Sequence, residues 1–139
     1  MNYLLDTNIC IYIIKKSPEI VLKKLELINS FHSKSEIYLS SVTIAELHYG
    51  IQKSKRIAEN TEALKDFLTP FKVLDFSLPS AEIFGAVRSK LEGAGKIIGP
   101  YDLQIASIAM ANDLTLVTNN TKEFERVDGL KLENWAKEI

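Results

Sequence analysis

The chain has a single cysteine, Cys10, so no internal disulfide can staple it. One cysteine and two histidines also leave no structural zinc site of the usual kind. Six glycines and four prolines in 139 residues are too few for a collagen-like or disordered chain. No charge of one sign dominates: 17 basic residues face 18 acidic ones, for a net charge of −1. That balance argues against a protein that coats nucleic acid nonspecifically, and leaves room for a basic rim around an acidic centre. Near the N-terminus the longest apolar run is Ile9-Cys10-Ile11-Tyr12-Ile13-Ile14, far short of the roughly 20 residues a transmembrane helix needs. It follows Asp6 and precedes Lys15-Lys16, the reverse of a signal peptide's order. A cytoplasmic chain with no membrane segment is the expectation, and a lone reduced thiol fits it.

What is present is ordinary in amount. Hydrophobic residues make up 46% and charged residues 25%, average for globular domains. A chain of this length forms one domain, here residues 1–139, and buries about two-thirds of its unfolded surface.

Short apolar runs alternate with helical patterns. Asn2-Tyr3-Leu4-Leu5 reads as a buried strand that stops at Asp6. Thr7 to about Lys16 reads as a helix, and Pro18 opens another whose Val21, Leu22, Leu25 and Ile28 share a face. His32-Ser33-Lys34-Ser35 is a polar loop, and Ile37-Tyr38-Leu39 a second strand parallel to the first. Thr43 to Ser54 is a helix opened by the S/T-x-x-E capping pattern Thr43-Ile44-Ala45-Glu46. Further helices are expected over Asn60–Leu68, Pro79–Glu92 and Pro100 to about Ala111. Val73-Leu74 and Leu116-Val117 read as strands, and Gly93 to Gly99 as a flexible loop. Alternation of this kind means a parallel α/β sheet with helices on both faces.

Open α/β sheets bind ligands beyond the carboxyl ends of their strands. Asp6 ends the first strand, Glu46 follows the second, Asp102 sits in the first turn of the Pro100 helix, and Asn119-Asn120 follow the last strand. Four segments thus deliver oxygen donors to one edge. Mg²⁺ and Mn²⁺ take oxygen ligands and keep several waters, so two or three carboxylates suffice. Each residue also has a local role open to it. Asp6 fits a helix N-cap, Glu46 a capping box with Thr43, Asp102 the helix dipole, and Asn119-Asn120 a turn. A first-turn carboxylate can cap and still face a ligand.

Tyr3-Leu4-Leu5-Asp6-Thr7-Asn8-Ile9-Cys10-Ile11-Tyr12 resembles the opening of VapC toxins, ribonucleases of the PIN-domain family. The resemblance continues through Ser40-Ser41-Val42-Thr43-Ile44-Ala45-Glu46-Leu47-His48-Tyr49-Gly50 and Ile98-Gly99-Pro100-Tyr101-Asp102. It closes with Leu116-Val117-Thr118-Asn119-Asn120-Thr121-Lys122-Glu123-Phe124 and Asn134-Trp135, so it spans nearly the whole chain in the family's order. It implies a PIN-like three-layer α/β fold, with a short parallel sheet flanked by helices, and RNA cleavage dependent on Mg²⁺ or Mn²⁺. Asp6, Glu46 and Asp102 match the family's three core acids and would be both catalytic and metal-holding. Asn120 stands where many PIN domains carry a further metal-site Asp, four residues before Phe124, which removes one negative charge. Thr7, Asn8, Thr118 and Asn119 are candidates for supporting hydrogen bonds; local capping and turn bonds are equally open to them. The resemblance also implies the toxin half of a type II toxin–antitoxin pair, a VapB-type antitoxin partner, a homodimer, and initiator tRNA cut in its anticodon loop, which would block translation.

Other residues carry less. His48, two positions after Glu46, points to another helix face, and His32 lies in the polar loop, which argues against a histidine-based ribonuclease. Cys10 reads as core packing. Lys96, in the glycine-rich loop before Asp102, and Arg88 are candidate RNA-phosphate contacts, against a solvated-surface role. Ile13, Ile14, Leu47, Tyr49 and Ile51 either pack the core or leave a partner groove. A competing reading is a catalytically weak PIN-fold module that only binds protein; the three intact acids oppose it. An aspartyl phosphatase would place a second Asp where Asn8 stands, and no Gly-x-Gly-x-x-Gly for a dinucleotide follows the first strand.

Overall fold

The first strand fixes the rest by alternation. In the computed structural model, which describes residues 1–31 and 36–137, β1 (Tyr3–Leu5) is buried along its whole length. Its neighbours in space are β2 (Ile37–Ser40) and β4 (Thr115–Val117), both parallel to it. β3 (Lys72–Leu74) lies outside β2, and β5 (Leu132–Glu133) outside β4. The sheet order is β3-β2-β1-β4-β5. The polar loop expected at His32–Ser35 falls outside the described residues.

Successive strand residues face opposite sides of a sheet. Tyr3, Leu5, Leu39 and Val117 therefore point one way, into a core with Ile9, Cys10, Val21, Leu47, Leu64 and Trp135. Leu4 and Leu116 point the other way, onto Ile105, Ala106, Ile108 and Phe124. The first side is covered by α1 (Thr7–Lys15), α2 (Glu19–Phe31), α3 (Ser41–Gln52) and α4 (Ile57–Leu68). The second is covered by α6 (Pro100–Ala111) and the short α7 (Thr121–Phe124). α5 (Leu78–Gly93) packs on α6 through Leu91, Ile98, Leu103 and Val127 instead of on the sheet. Two layers of helices around a parallel sheet agree with the expected α/β fold. α6 is buried almost all round, as expected of a helix with no polar stripe. Among the described residues no helix is long and apolar enough to cross a membrane.

Several boundaries differ from the sequence expectation, each for a local reason. α3 begins at Ser41, not Thr43, because Ser40 is the cap: its hydroxyl accepts the Thr43 N–H at 3.0 Å. The Thr43–Glu46 capping box therefore does not form, and Glu46 is released for other contacts. α4 starts at Ile57 instead of Asn60, and α5 at Leu78, where Ser77 caps it. Gly93–Gly99 is less free than its glycines suggested. Gly93 is the last residue of α5, Gly95 takes φ +70°, and the Lys96 N–H returns to the Leu91 carbonyl at 2.9 Å. That is the helix-ending bond pattern a left-handed glycine permits.

Trp135 closes the first core beyond β5. It is 1% exposed, meets Tyr3 edge-on at 5.5 Å, and donates its indole N–H to Glu133. Trp135→Ala is expected to cost about 3–5 kcal/mol of stability in urea melts. A loss under about 1 kcal/mol would mean the C-terminal segment does not belong to the core.

Candidate functional site

The chain builds the sheet outward from β1 to β2 and β3, then returns to β1's other side for β4 and β5. The order reverses between β1 and β4, where open α/β sheets present a crevice. Leu5 pairs with both Leu39 and Val117, so the three strands reach the edge in register, β2 running one residue further to Ser40. The residues that follow, Asp6, Ser40 and Thr118, line up on the carboxyl edge. The Asp6 N–H donates to the Val117 carbonyl at 2.9 Å, which holds Asp6 over the crevice.

Asp6 is only 3% exposed, and all its oxygens are engaged. Its Oδ1 accepts the Thr7 N–H at 2.8 Å, which makes it the cap of α1. Its Oδ2 accepts the Thr118 hydroxyl at 2.7 Å and the Asn8 amide at 3.2 Å. The capping role and the site role thus coexist. Burial pushes the Asp6 carboxyl above its ordinary value, while the bonds from Thr118, Thr7 and Asn8 pull against that.

Glu46 projects from α3 toward α1, where its Oε1 accepts the Thr7 hydroxyl at 2.8 Å. Thr7 in turn lies 3.2 Å from the Thr43 hydroxyl. Asp102 enters from the first turn of α6, half-buried, and no hydrogen bond reaches its carboxylate among the described residues. Burial raises its pKa to about 6, and the charges of Asp6, Glu123 and Glu46 add to the effect. Three other carboxylates are therefore close enough to oppose its ionisation.

Glu123 is the member the sequence reading missed. Asn120 does not stand as a bare oxygen donor; its side-chain amide donates to Glu123 Oε2 at 2.7 Å. The two residues are three apart across α7, the spacing at which helix side chains meet. Glu123 returns the negative charge that Asn120 lacks. A signal was available: Asn120-Thr121-Lys122-Glu123 has the polar-x-x-Glu form that marks a helix start, and it would have drawn out both α7 and Glu123.

The four supporting candidates lie where expected. Thr118 is fully buried, and its oxygen also accepts the Asn120 N–H at 3.0 Å. Asn8 Oδ1 accepts the Asn119 N–H at 3.1 Å. Asn119 then donates to the Tyr12 hydroxyl at 3.0 Å and accepts from Asn134 at 3.2 Å. This ladder ties α1, the β4–α7 turn and the C-terminal segment into one support. Arg88 is committed to Glu92 at 3.1 Å and lies over the Phe84 ring. Lys96 is exposed, on a pocket shared with Lys90 and Arg126. His48 is exposed, and Cys10 is buried in the core, where burial pushes its thiol up. Leu47 and Ile51 pack into the core, whereas Tyr49 stays 66% exposed.

The donor set suits a hard divalent cation. All four acids are oxygen donors, and burial, with the neighbouring carboxylate charges adding to it, leaves Asp102 reluctant to ionise without a counter-charge. Among the described residues, no three acidic, histidine or cysteine side chains close tightly enough to grip an ion directly. Mg²⁺ tolerates such an open arrangement because it keeps several waters and needs only one or two direct carboxylates.

Comparison with known proteins follows the same outline. The PIN domain family matches residues 3–130. Ribonuclease VapC2 of Rickettsia felis is 47% identical over 99% of this chain and 100% of its own length. The tRNA(fMet)-specific endonuclease VapC of Shigella flexneri is 39% identical over 98% of this chain and 99% of its own. Among solved structures, VapBC2 from Rickettsia felis bound to a DNA fragment from its promoter superposes with a TM-score of 0.89. The identity there is 46%, over 97% of this chain and 99% of that one. DNA-bound VapBC from Salmonella typhimurium gives 0.87 at 37% identity, over 97% and 98%.

The raised Asp102 pKa carries a stability prediction. Well below pH 4 the carboxyl is protonated whether the chain is folded or not. Between there and about pH 6 the unfolded chain gives up its proton first, so folding is increasingly opposed; above pH 6 the opposition is complete. In EDTA, Asp102→Asn should therefore melt higher than the parent at pH 7.5, the gap should close as pH falls well below 4, and Mg²⁺ should narrow it at pH 7.5. A variant that melts lower than the parent at pH 7.5 would contradict the crowding of charge.

Proposed function

The chain belongs to the PIN-domain family and, within it, to the VapC ribonucleases, and from that premise we propose that it is a metal-dependent endoribonuclease acting on initiator tRNA. The observation that carries the reading is the convergence of acids on the β1–β4 crevice: Thr7, Thr118 and Asn120 link Asp6 to Glu46 and Glu123 by hydrogen bonds, and Asp102 faces their charge from α6. The relatives named for tRNA(fMet) align over nearly their whole length, which supports the substrate.

Asp6 and Asp102 would hold Mg²⁺ or Mn²⁺, with Glu46 and Glu123 completing the shell through water. A cation bound there supplies Lewis acidity, easing deprotonation of water and neutralising charge on the phosphoryl oxygens. The chain's own residues set the geometry. Thr118, Asn8 and the Thr7 N–H fix both oxygens of Asp6. The Thr7 hydroxyl aims Glu46, and Asn120 aims Glu123. Attack by water on phosphorus breaks the bond to the 3′-oxygen, leaving a 5′-phosphate and a 3′-hydroxyl. The ribose 2′-hydroxyl takes no part. An anticodon loop offers unstacked nucleotides to such a crevice, which a duplex does not.

Toxin–antitoxin pairing follows from the same kinship, and the VapBC assemblies support it. A groove of about 920 Å³ runs beside Glu46, lined by Ile11, Val42, Tyr49 and Tyr101. Its apolar walls suit an amphipathic helix of a VapB-type antitoxin. A segment seated there would lie against Thr7 and Glu46 and close one flank of the acid centre.

The test is cleavage of initiator tRNA by the purified chain, freed of antitoxin, in Mg²⁺, Mn²⁺ or EDTA. A discrete cut with a 5′-phosphate end is expected, abolished by EDTA. Asp6→Asn should lower the rate by more than about a hundredfold, and Thr118→Val, which removes one bond to Asp6, by about 10–100-fold. Cleavage that persists in EDTA and in Asp6→Asn would refute the metal-dependent reading. No cleavage of any tRNA would refute the substrate.

A further inference from the structure

Away from the acid centre, Lys90, Lys96 and Arg126 converge on a pocket of about 270 Å³ walled by Val87, Leu91 and Ala94. We propose that this pocket is a phosphodiester subsite, which holds a backbone phosphate of the RNA strand a few nucleotides from the bond that is cut. The proposal rests on the ribonuclease reading above and adds residues to it.

Charge supports it first. Asp128 is the pocket's one acid, and it is satisfied by Lys90 at 2.7 Å. Lys96 and Arg126 are left as net positive charge. Arg126 spends one N–H on the Ile97 carbonyl at 2.8 Å, and a guanidinium has five. The last-turn carbonyls of α5 would repel an anion, but those of Lys90, Leu91 and Glu92 already accept the N–H groups of Ala94, Lys96 and Gly95. That same cap fixes the Lys96 backbone, so its side chain starts from a set position and loses less freedom on binding.

Position supports it second. Arg126 bridges the two segments that deliver acids to the crevice. Its backbone N–H bonds the Glu123 carbonyl at 3.2 Å, and its side chain bonds Ile97, five residues before Asp102. Five residues reach at most about 18 Å, so the pocket flanks the acid centre on the α6–α7 side. It shares no lining residue with the groove beside Glu46. An RNA strand could thus use it while leaving the antitoxin groove untouched. Phosphate contacts of this kind position a strand without reading its bases.

The experiment measures binding apart from cleavage. Asp6→Asn chain is titrated with fluorescently labelled initiator tRNA over a range of salt, alone and with Lys96→Gln, Lys96→Glu or Arg126→Gln added. Lys23→Gln, on the exposed face of α2, is the control. Each loss of a contact should weaken binding about threefold at moderate salt and flatten the log K against log salt slope by about 0.7. Lys96→Glu should weaken it further, and melting temperatures should stay within a degree or so of the parent. Equal affinity and equal slope for all the variants would overturn the pocket and leave the ribonuclease reading standing. A parent that holds no tRNA would overturn both. A Lys96 effect seen with a glutamate-rich peptide, and absent with tRNA, would assign the pocket to an acidic protein segment and overturn the proposal.

Discussion

The structure depends on one buried carboxylate. Asp6 sits at the end of the central strand, almost out of water, with three hydrogen bonds taking up its oxygens. An unpaired buried charge is costly, so those bonds are a condition of the fold as well as of the site. They come from α1 on one side and from β4 on the other. The carboxylate therefore stitches the two halves of the sheet at the point where strand order reverses. Removing the bonds would leave the charge without compensation, and removing the charge would leave Thr118 and Asn8 aimed at nothing.

The other acids are arranged around that fixed point with graded freedom. Glu46 is held by one hydroxyl and Glu123 by one amide, while Asp102 has no hydrogen-bond partner among the described residues. Burial raises the Asp102 pKa to about 6, and the charges of Asp6, Glu123 and Glu46 add to it. A divalent ion bound there, as proposed, would offset this charge and return stability on binding. Lys96 and Arg126 lie outside the centre, on the α5–α6–α7 flank, so an RNA strand seated as proposed would meet opposite fields at its phosphates and at the scissile bond.

Much of this was legible in the residues. The alternation of apolar runs and helical patterns gave the parallel sheet, and the acids at strand ends and helix starts gave three of the four site carboxylates. Thr7 and Asn8 follow Asp6 directly, and Thr118 and Asn119 follow the last clear strand, so position alone pointed all four to the carboxyl edge. The rest was hidden for physical reasons. The Thr43–Glu46 pattern suggested a cap, but Ser40 was nearer the true helix start and took that role. β5 has two residues, too few for any period, and exists only because β4 offers it an edge. α7 has four residues, too few for a helical period to show which way Glu123 faces. The basic pocket gathers Lys90, Lys96 and Arg126 from segments up to 36 positions apart, brought together by the packing of Leu91, Ile98, Leu103 and Val127.

Direct location of the cation tests the central claim most sharply. Crystals of the antitoxin-free chain soaked in Mn²⁺ would show it by anomalous diffraction. The account predicts a peak in the β1–β4 crevice between Asp6, Asp102 and Glu123, lost in Asp6→Asn crystals. Mn²⁺ bound only elsewhere, or no peak at millimolar concentration, would contradict it.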